Sequence, residues 1–163
     1  MTANNYIMDS SSLIELNRHN PIDIFPSVWK NMESLIIEGL LVAPVEVLHE
    51  ITEKDDQLSK WAKTRSSFFR DPTEKQIKHL KGILKSYPSM VREDRECDAD
   101  PWVIALAIEM TTDSQQTLFQ IEKIVVTEEK LRGEKIRIPY VCRKYNIDSI
   151  DIIEMFRIEG WKF

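Results

Sequence analysis

Tyr6-Ile7-Met8-Asp9-Ser10-Ser11-Ser12-Leu13-Ile14 decides how this chain folds. A short apolar run of β type stops at an acid, and a segment of helical period begins almost at once. Ser12 and Glu15 have the spacing of a capping box, in which the two side chains satisfy backbone donors at a helix start. Two further runs repeat the pattern: Leu40 to Ala43, ending at Pro44, and Ile124 to Val126, ending at Thr127. Lys135 to Ile138 and Ile147 to Ile150 are weaker candidates for strands. Apolar runs that alternate with longer helical segments predict an α/β domain around a mainly parallel sheet.

The segments between the runs support that architecture. Pro26 to Glu38 places Val28, Met32, Leu35 and Ile36 on one face. Pro44 suits the first position of a helix whose Val47, Leu48 and Ile51 point inward. Asp56 to Phe69 and Thr73 to Tyr87 read as two amphipathic helices separated by the breaker pair Asp71-Pro72. Asp100-Pro101 opens an apolar helix through Ile108, before a polar loop over Thr111 to Gln116. Trp29, Trp61, Trp102 and Trp161 are expected in packing roles. With no repeat and no linker rich in Gly, Ser or Pro, the 163 residues are expected to form one domain, 1–163, large enough to hold a single core.

Hydrophobic residues at 42% and charged residues at 30%, with only 4 Gly, exclude collagen-like and disordered classes. A net charge of -5 argues against a protein that holds nucleic acid by bulk charge. The charge is unevenly spread, however. A segment expected to be helical, Lys54 to Arg95, carries 11 Lys and Arg against 6 Asp and Glu, leaving 11 against 21 elsewhere. A basic helical hairpin of this kind could grip an anionic substrate beside an acidic centre; the solvated faces of two surface helices are the simpler reading. Cys97 and Cys142 are too few for a disulfide framework and are expected to be reduced thiols. The N-terminal stretch has no signal-like pattern, and no segment approaches the length of a membrane span. The expectation is a soluble, cytoplasmic protein.

In a parallel α/β sheet, ligands bind outside the carboxyl ends of the strands, so acids placed there are the first candidates for chemistry. Asp9 ends the first run, Glu129 lies two residues beyond Thr127, and Glu50 lies in the helix after the second run, on the same face as Glu46. Asp100 starts the apolar helix, with Asp98 two residues earlier. Each has a purely structural alternative: Asp100 as an N-cap before Pro101, Glu50 as a surface partner of Lys54, Glu129 as a partner of Lys130 or Arg132. Asp9 resists dismissal, because an acid at the end of a buried strand must be paired, hydrated or metal-bound. Carboxylates brought close together need a compensating cation, and oxygen ligands select a hard one, Mg²⁺ or Mn²⁺. Metal-assisted phosphodiester hydrolysis is the reaction class that such a site supports. His49-Glu50 resembles the start of a zinc-protease motif, but Glu53 stands where the second histidine is required.

These pieces, in this order, resemble the PIN-domain ribonucleases, in particular VapC-like toxins. The likeness rests on Tyr6 to Ile14, on Val42 to Ile51, on Asp100 to Ala107 and on Val126-Thr127-Glu128-Glu129. A PIN-like branch described as a domain of unknown function is closer still, through Ala99-Asp100-Pro101, Val126 to Glu129 and a tail like Ile136 to Cys142. The resemblance implies a three-layer α/β/α fold, dependence on Mg²⁺ or Mn²⁺ and cleavage of RNA. Asp9, Glu50, Asp100 and Glu129 would form the acidic cluster, with Ser10 and Thr127 positioning ligands or water and Asp98, Glu46 and Glu128 as rivals. Glu129 stands where the family has Asp. A type II toxin would also have a protein antitoxin and could dimerise. The alternative is a PIN-like binding module without cleavage, acting through an antitoxin or an RNA-processing assembly.

Overall fold

A computed structural model describes residues 4–54, 56–91, 98–113 and 121–163. At its centre is β1 (Asn4–Met8), paired in parallel with β2 (Leu41–Pro44) on one side and β4 (Glu122–Val126) on the other. The outer strands are β3 (Phe69–Arg70) beside β2 and β5 (Asp148–Ile150) beside β4, giving the order β3-β2-β1-β4-β5, parallel throughout. Ile7 lies opposite both Val42 and Val125. The central strands are apolar without alternation, and Tyr6 to Met8, Leu41 to Ala43 and Ile124 to Val126 are all buried. That pattern belongs to a sheet covered on both faces.

The covering helices are α1 (Ser10–His19), α2 (Pro26–Ile37), α3 (Val45–Lys54), α4 (Asp56–Lys63), α5 (Glu74–Ser86), α6 (Asp100–Thr112), α7 (Ile138–Lys144) and α8 (Ile152–Glu159). Connections from β1 to β2 to β3 step one way along the sheet, and those from β3 to β4 to β5 return the other way. Right-handed crossovers therefore place α1 to α4 on one face and α5 to α7 on the opposite face. The packing agrees, with α1 against α3 and α4, and α6 against α5 and α7. The result is a three-layer α/β/α arrangement, as the family resemblance implies, around the parallel sheet expected from the strand pattern. Among the described residues, no helix is long and apolar enough to cross a membrane.

Two parts of the core fix the layers. On the first face, Trp29 and Trp61 meet edge to face at 4.8 Å, and Phe68 meets Trp61 at 6.1 Å, so α2, α4 and the turn before β3 share one aromatic cluster. On the other face, α6 buries Val103, Ile104, Ala105, Leu106 and Ala107 without interruption. A helix that is apolar all round needs cover on every side. The sheet and α5 provide much of it.

Four local expectations change. Pro44 closes β2 rather than opening α3; as the last residue of its strand it loses little by lacking an N–H. Lys135 to Arg137 do not form a strand, and Ile138 instead begins α7, with Pro139 in the first turn. Thr111 and Thr112 finish α6 instead of starting a loop, whereas Ser114, Gln115 and Gln116 lie outside the described residues. The helix expected over Asp56 to Phe69 stops at Lys63, because Thr64 Oγ1 and Arg65 Nη1 donate to the Trp61 carbonyl at 2.9 and 2.7 Å and satisfy the helix end. A 3₁₀ turn, Ser66–Phe68, and β3 follow.

That last change dissolves the basic hairpin. Lys60 and Lys63 are exposed on α4, and Lys78, Lys81 and Lys85 are exposed on α5, on opposite faces of the sheet. Residues 55 and 92–97, including Arg92, Arg95 and Cys97, lie outside the described residues. Cys142 is a buried free thiol, and burial, followed by the charges of Asp9 and Glu129, pushes it up to about 12.

A long-range bond secures the C-terminal helix. Tyr6 Oη, on the central strand, donates to Glu159 Oε1 at 2.5 Å across 153 residues. Burial, reinforced by that carboxylate, pushes the phenol well up and keeps it a proton donor. Tyr6→Phe leaves Glu159 without this donor and is expected to destabilise the domain by about 1–2 kcal/mol. Urea denaturation should show a lower midpoint at an unchanged slope; an unaltered midpoint would mean that the bond does not hold α8.

Candidate functional site

The connections diverge between β1 and β4, and the crevice at the carboxyl ends of these two strands is where an open α/β sheet binds ligands. Asp9 sits there, 2% exposed. It is also the N-cap of α1: its backbone is extended and its Oδ1 accepts from the Ser12 N–H at 2.9 Å, so the cap is Asp9 rather than Ser12. Ser11 Oγ donates to Oδ1 and Oδ2 at 2.9 and 2.8 Å, and Thr127 Oγ1 donates to Oδ2 at 2.5 Å. The acid at the end of β1 is thus fastened to the end of β4.

Glu50 comes from α3. It is 4% exposed, so the reading as a surface partner of Lys54 fails. One carboxylate oxygen accepts from Ser10 Oγ and the other from the Ala99 N–H at 2.6 Å. Ala99 lies between Asp98 and Asp100, so the bond that orients Glu50 also draws those two acids beside it. One oxygen from each of Glu50, Asp98 and Asp100 lies within 4.8 Å of the others. Asp100 is the first residue of α6 and not its cap, a position held by Ala99 without a side-chain bond. Its carboxylate is therefore not engaged in capping.

Thr127 and Glu129 form the other wall. The Glu129 N–H donates to Thr127 Oγ1 at 3.1 Å, and Glu129 Oε2 accepts from the Ile138 N–H at 3.0 Å, tying the wall to α7. Lys130 pairs with Asp151 at 2.8 Å and not with Glu129. Glu128 turns away, accepting from the Ile152 N–H at 3.0 Å through Oε1. Glu46 also stands apart: the side-chain charges that act on it are those of His49 and Asp71. His49 itself is exposed.

Electrostatics joins the pieces. Burial, then the charges of Glu129, Asp9, Asp98 and Glu50 in that order, pushes the Asp100 carboxyl up to about 8. Burial raises Asp9 to about 6 against the lowering effect of Thr127, Ser12 and Ser11. Five carboxyl groups from four segments thus converge, and Asp100 is where their repulsion accumulates. An octahedral Mg²⁺ with ligands at about 2.1 Å holds oxygens about 3.0–4.2 Å apart. The three closest carboxylates need only a small contraction to reach that spacing, and their hard oxygen donors suit Mg²⁺ or Mn²⁺.

A family model described as a domain of unknown function, DUF4411, matches residues 6–163. The chain belongs to the DUF4411 family. The match runs from β1 to the last residue and takes in every acid of the crevice. A comparison with curated proteins finds no match.

In this DUF4411 chain the structure assembles Glu50, Asp98 and Asp100 most tightly, with Asp9 and Glu129 alongside. Asp98 moves from a rival to a member, because the bond from the Ala99 N–H to Glu50 brings it, together with Asp100, beside that carboxylate. Ser11 has no motif of its own in the sequence, yet it joins both Asp9 oxygens to the Glu128 N–H, which donates to its Oγ at 3.1 Å. An i, i+2 hydroxyl after a capping acid was the available signal.

The raised acids set a stability profile. An unfolded Asp titrates near about 3.9, so the folded chain without a cation holds extra protons between that pH and the folded values near 6 and 8. Stability is favoured below that window and falls as pH rises through it. Thermal melting in chelator should therefore show a Tm declining from about pH 4 to pH 8, and Asp100→Asn should flatten the upper part of the decline. Parallel slopes for the two proteins would show that Asp100 is not the strained group.

Proposed function

We propose that this chain is a divalent-metal-dependent endoribonuclease. The observation that carries the reading is the convergence of Glu50, Asp98 and Asp100 beside Asp9 and Glu129 at the carboxyl ends of β1 and β4. Their mutual repulsion is relieved most directly by a cation. The resemblance to PIN-domain ribonucleases supports RNA as the substrate.

Glu50, Asp98 and Asp100 would hold Mg²⁺ or Mn²⁺, with Asp9 adding negative charge from behind. Bound there, the ion supplies positive charge to the phosphoryl oxygens and makes a water more acidic. The protein's own part is placement. Ser10 and the Ala99 N–H fix both Glu50 oxygens, so the carboxylate does not rotate when its neighbours lose protons. Thr127, Ser11 and the Ser12 N–H do the same for Asp9. Glu129 is held through Oε2, and among the described residues Oε1 takes no hydrogen bond, which leaves it able to accept a proton from an attacking water.

The same resemblance supports a role as the toxin of a type II toxin–antitoxin pair, with a protein antitoxin as partner. Induced expression in bacteria, with mapping of RNA ends, tests both levels. Cleaved transcripts and growth arrest are expected from the wild type, and neither from Asp100→Asn. Equal cleavage by Asp100→Asn would remove the metal-site assignment, and a folded protein that binds metal but cuts no RNA would leave a binding module.

Metal affinity gives a separate check. Mn²⁺ should raise the Tm as RT ln(1 + [L]/Kd) requires, and uptake should release protons near pH 7, because Asp100 is protonated there without the ion. Ser10→Ala, which frees one Glu50 oxygen, should weaken Mn²⁺ binding by roughly 10–100-fold. Calorimetry in buffers of different ionisation enthalpy reads both quantities. Heats independent of buffer would contradict the protonated state of Asp100.

A further inference from the structure

A groove of about 670 Å³ opens next to the acidic crevice, between the end of β4, α7 and β5, and shares Thr127 and Glu129 with the crevice wall. Its size falls within the range of about 300–1,000 Å³ typical of small-molecule sites. Pro139 and Ile147 are buried residues of its lining, and Leu131, 46% exposed, stands among the lining residues with its apolar side chain in solvent. Ser149 adds a hydroxyl from β5. Four acids also line the groove, among them the exposed Asp148, and of its two cations only one is free to meet an anion. Lys130 is paired with Asp151, and Glu154 with Arg157, but Arg143 is exposed and has no carboxylate partner among the described residues.

We propose that this groove seats the nucleotide next to the scissile phosphate, with its base and ribose over Leu131 and Pro139 and its outer phosphate on Arg143. The inference rests on the ribonuclease reading and deepens it. A strand whose reacting phosphate lies at the carboxylates must send its neighbouring nucleotide across one wall of the crevice, and the Thr127–Glu129 wall gives directly onto the groove. The lining matches a nucleotide in kind: apolar surface for the base face, a hydroxyl for a base edge, and an unpaired guanidinium for phosphate. The basic faces of α4 and α5 lie on opposite sides of the sheet and share no such continuity. Sequence preference in cleavage would then arise at Ser149 and Leu131 rather than at the carboxylates, which meet only phosphate and water.

Fluorescence anisotropy of the full chain with a labelled 12-nucleotide single-stranded RNA, read in chelator so that nothing is cut, tests the groove. Arg143→Glu should weaken binding at least tenfold, and Arg143→Gln should lower the slope of log affinity against log salt by about 0.7, the share of one phosphate contact in a single strand. Ser149→Trp, which fills the groove, should weaken binding without altering that slope, while Lys60→Glu on α4 should bind as the wild type does. Melting curves check that each variant is folded. Wild-type affinity and slope in folded Arg143 variants, an equal loss from Lys60→Glu, or no binding by the wild type would overturn the proposal. Failure of the ribonuclease reading would show elsewhere, as a folded wild type that binds Mn²⁺ but cuts no RNA.

Discussion

The hydrogen bond from Thr127 Oγ1 to Asp9 Oδ2 joins the ends of the two central strands, and the rest of the crevice is arranged around it. Burying a carboxylate at the end of a strand is costly unless its oxygens are satisfied. Here one acid does three structural jobs: it caps α1, binds the Ser11 hydroxyl and ties β1 to β4. Thr127 then orients Glu129 through its backbone N–H, so the order imposed at Asp9 passes to the far wall. A group that could be read as purely catalytic is thus also an element of the fold.

The opposing constraint is repulsion. Hydrogen bonds at Asp9 favour its charged form, yet burial still raises it to about 6, and Asp100 reaches about 8 with four carboxylates acting on it. A domain that needed only stability would place apolar or neutral side chains there. The apolar α6, covered by the sheet and α5, supplies the rigidity that keeps Asp100 close to its rivals. Residues that strain a fold in this way cluster where chemistry requires them.

Much of this is legible in the sequence alone. Tyr6 to Met8, Leu41 to Ala43 and Ile124 to Val126 are unbroken apolar runs because both faces of the sheet are covered, and such runs are readable without knowing what covers them. Asp9, Glu50 and Glu129 stand out as candidates by their places after those runs, and Asp100 by its place at the start of the apolar helix. The misreadings share a cause: each depended on a partner distant in sequence. Ser12 and Asp9 are equally good caps by residue type, and the Thr127 hydroxyl, 118 residues away, is what holds the Asp9 carboxylate at the helix start. The basic stretch looked like one hairpin because β3 is two residues long, too short for any periodicity to reveal it. Asp98 joins the cluster because Ala99 donates to a glutamate 49 residues earlier, a contact with no local signature.

That contact has a topological consequence. Ala99 to Glu50 closes a long loop containing α4, β3 and α5, and Asp98 and Asp100 flank the closure on either side. A cation shared by Glu50 and the two aspartates would act as a removable cross-link over the same loop, binding only the folded chain and favouring it by mass action, unlike a covalent bridge that persists on unfolding. The acids would then serve as a clasp as well as a reaction centre: closed, it makes α3, α6 and the segment between them one cooperative unit; open, it leaves their charges pressing the two helices apart.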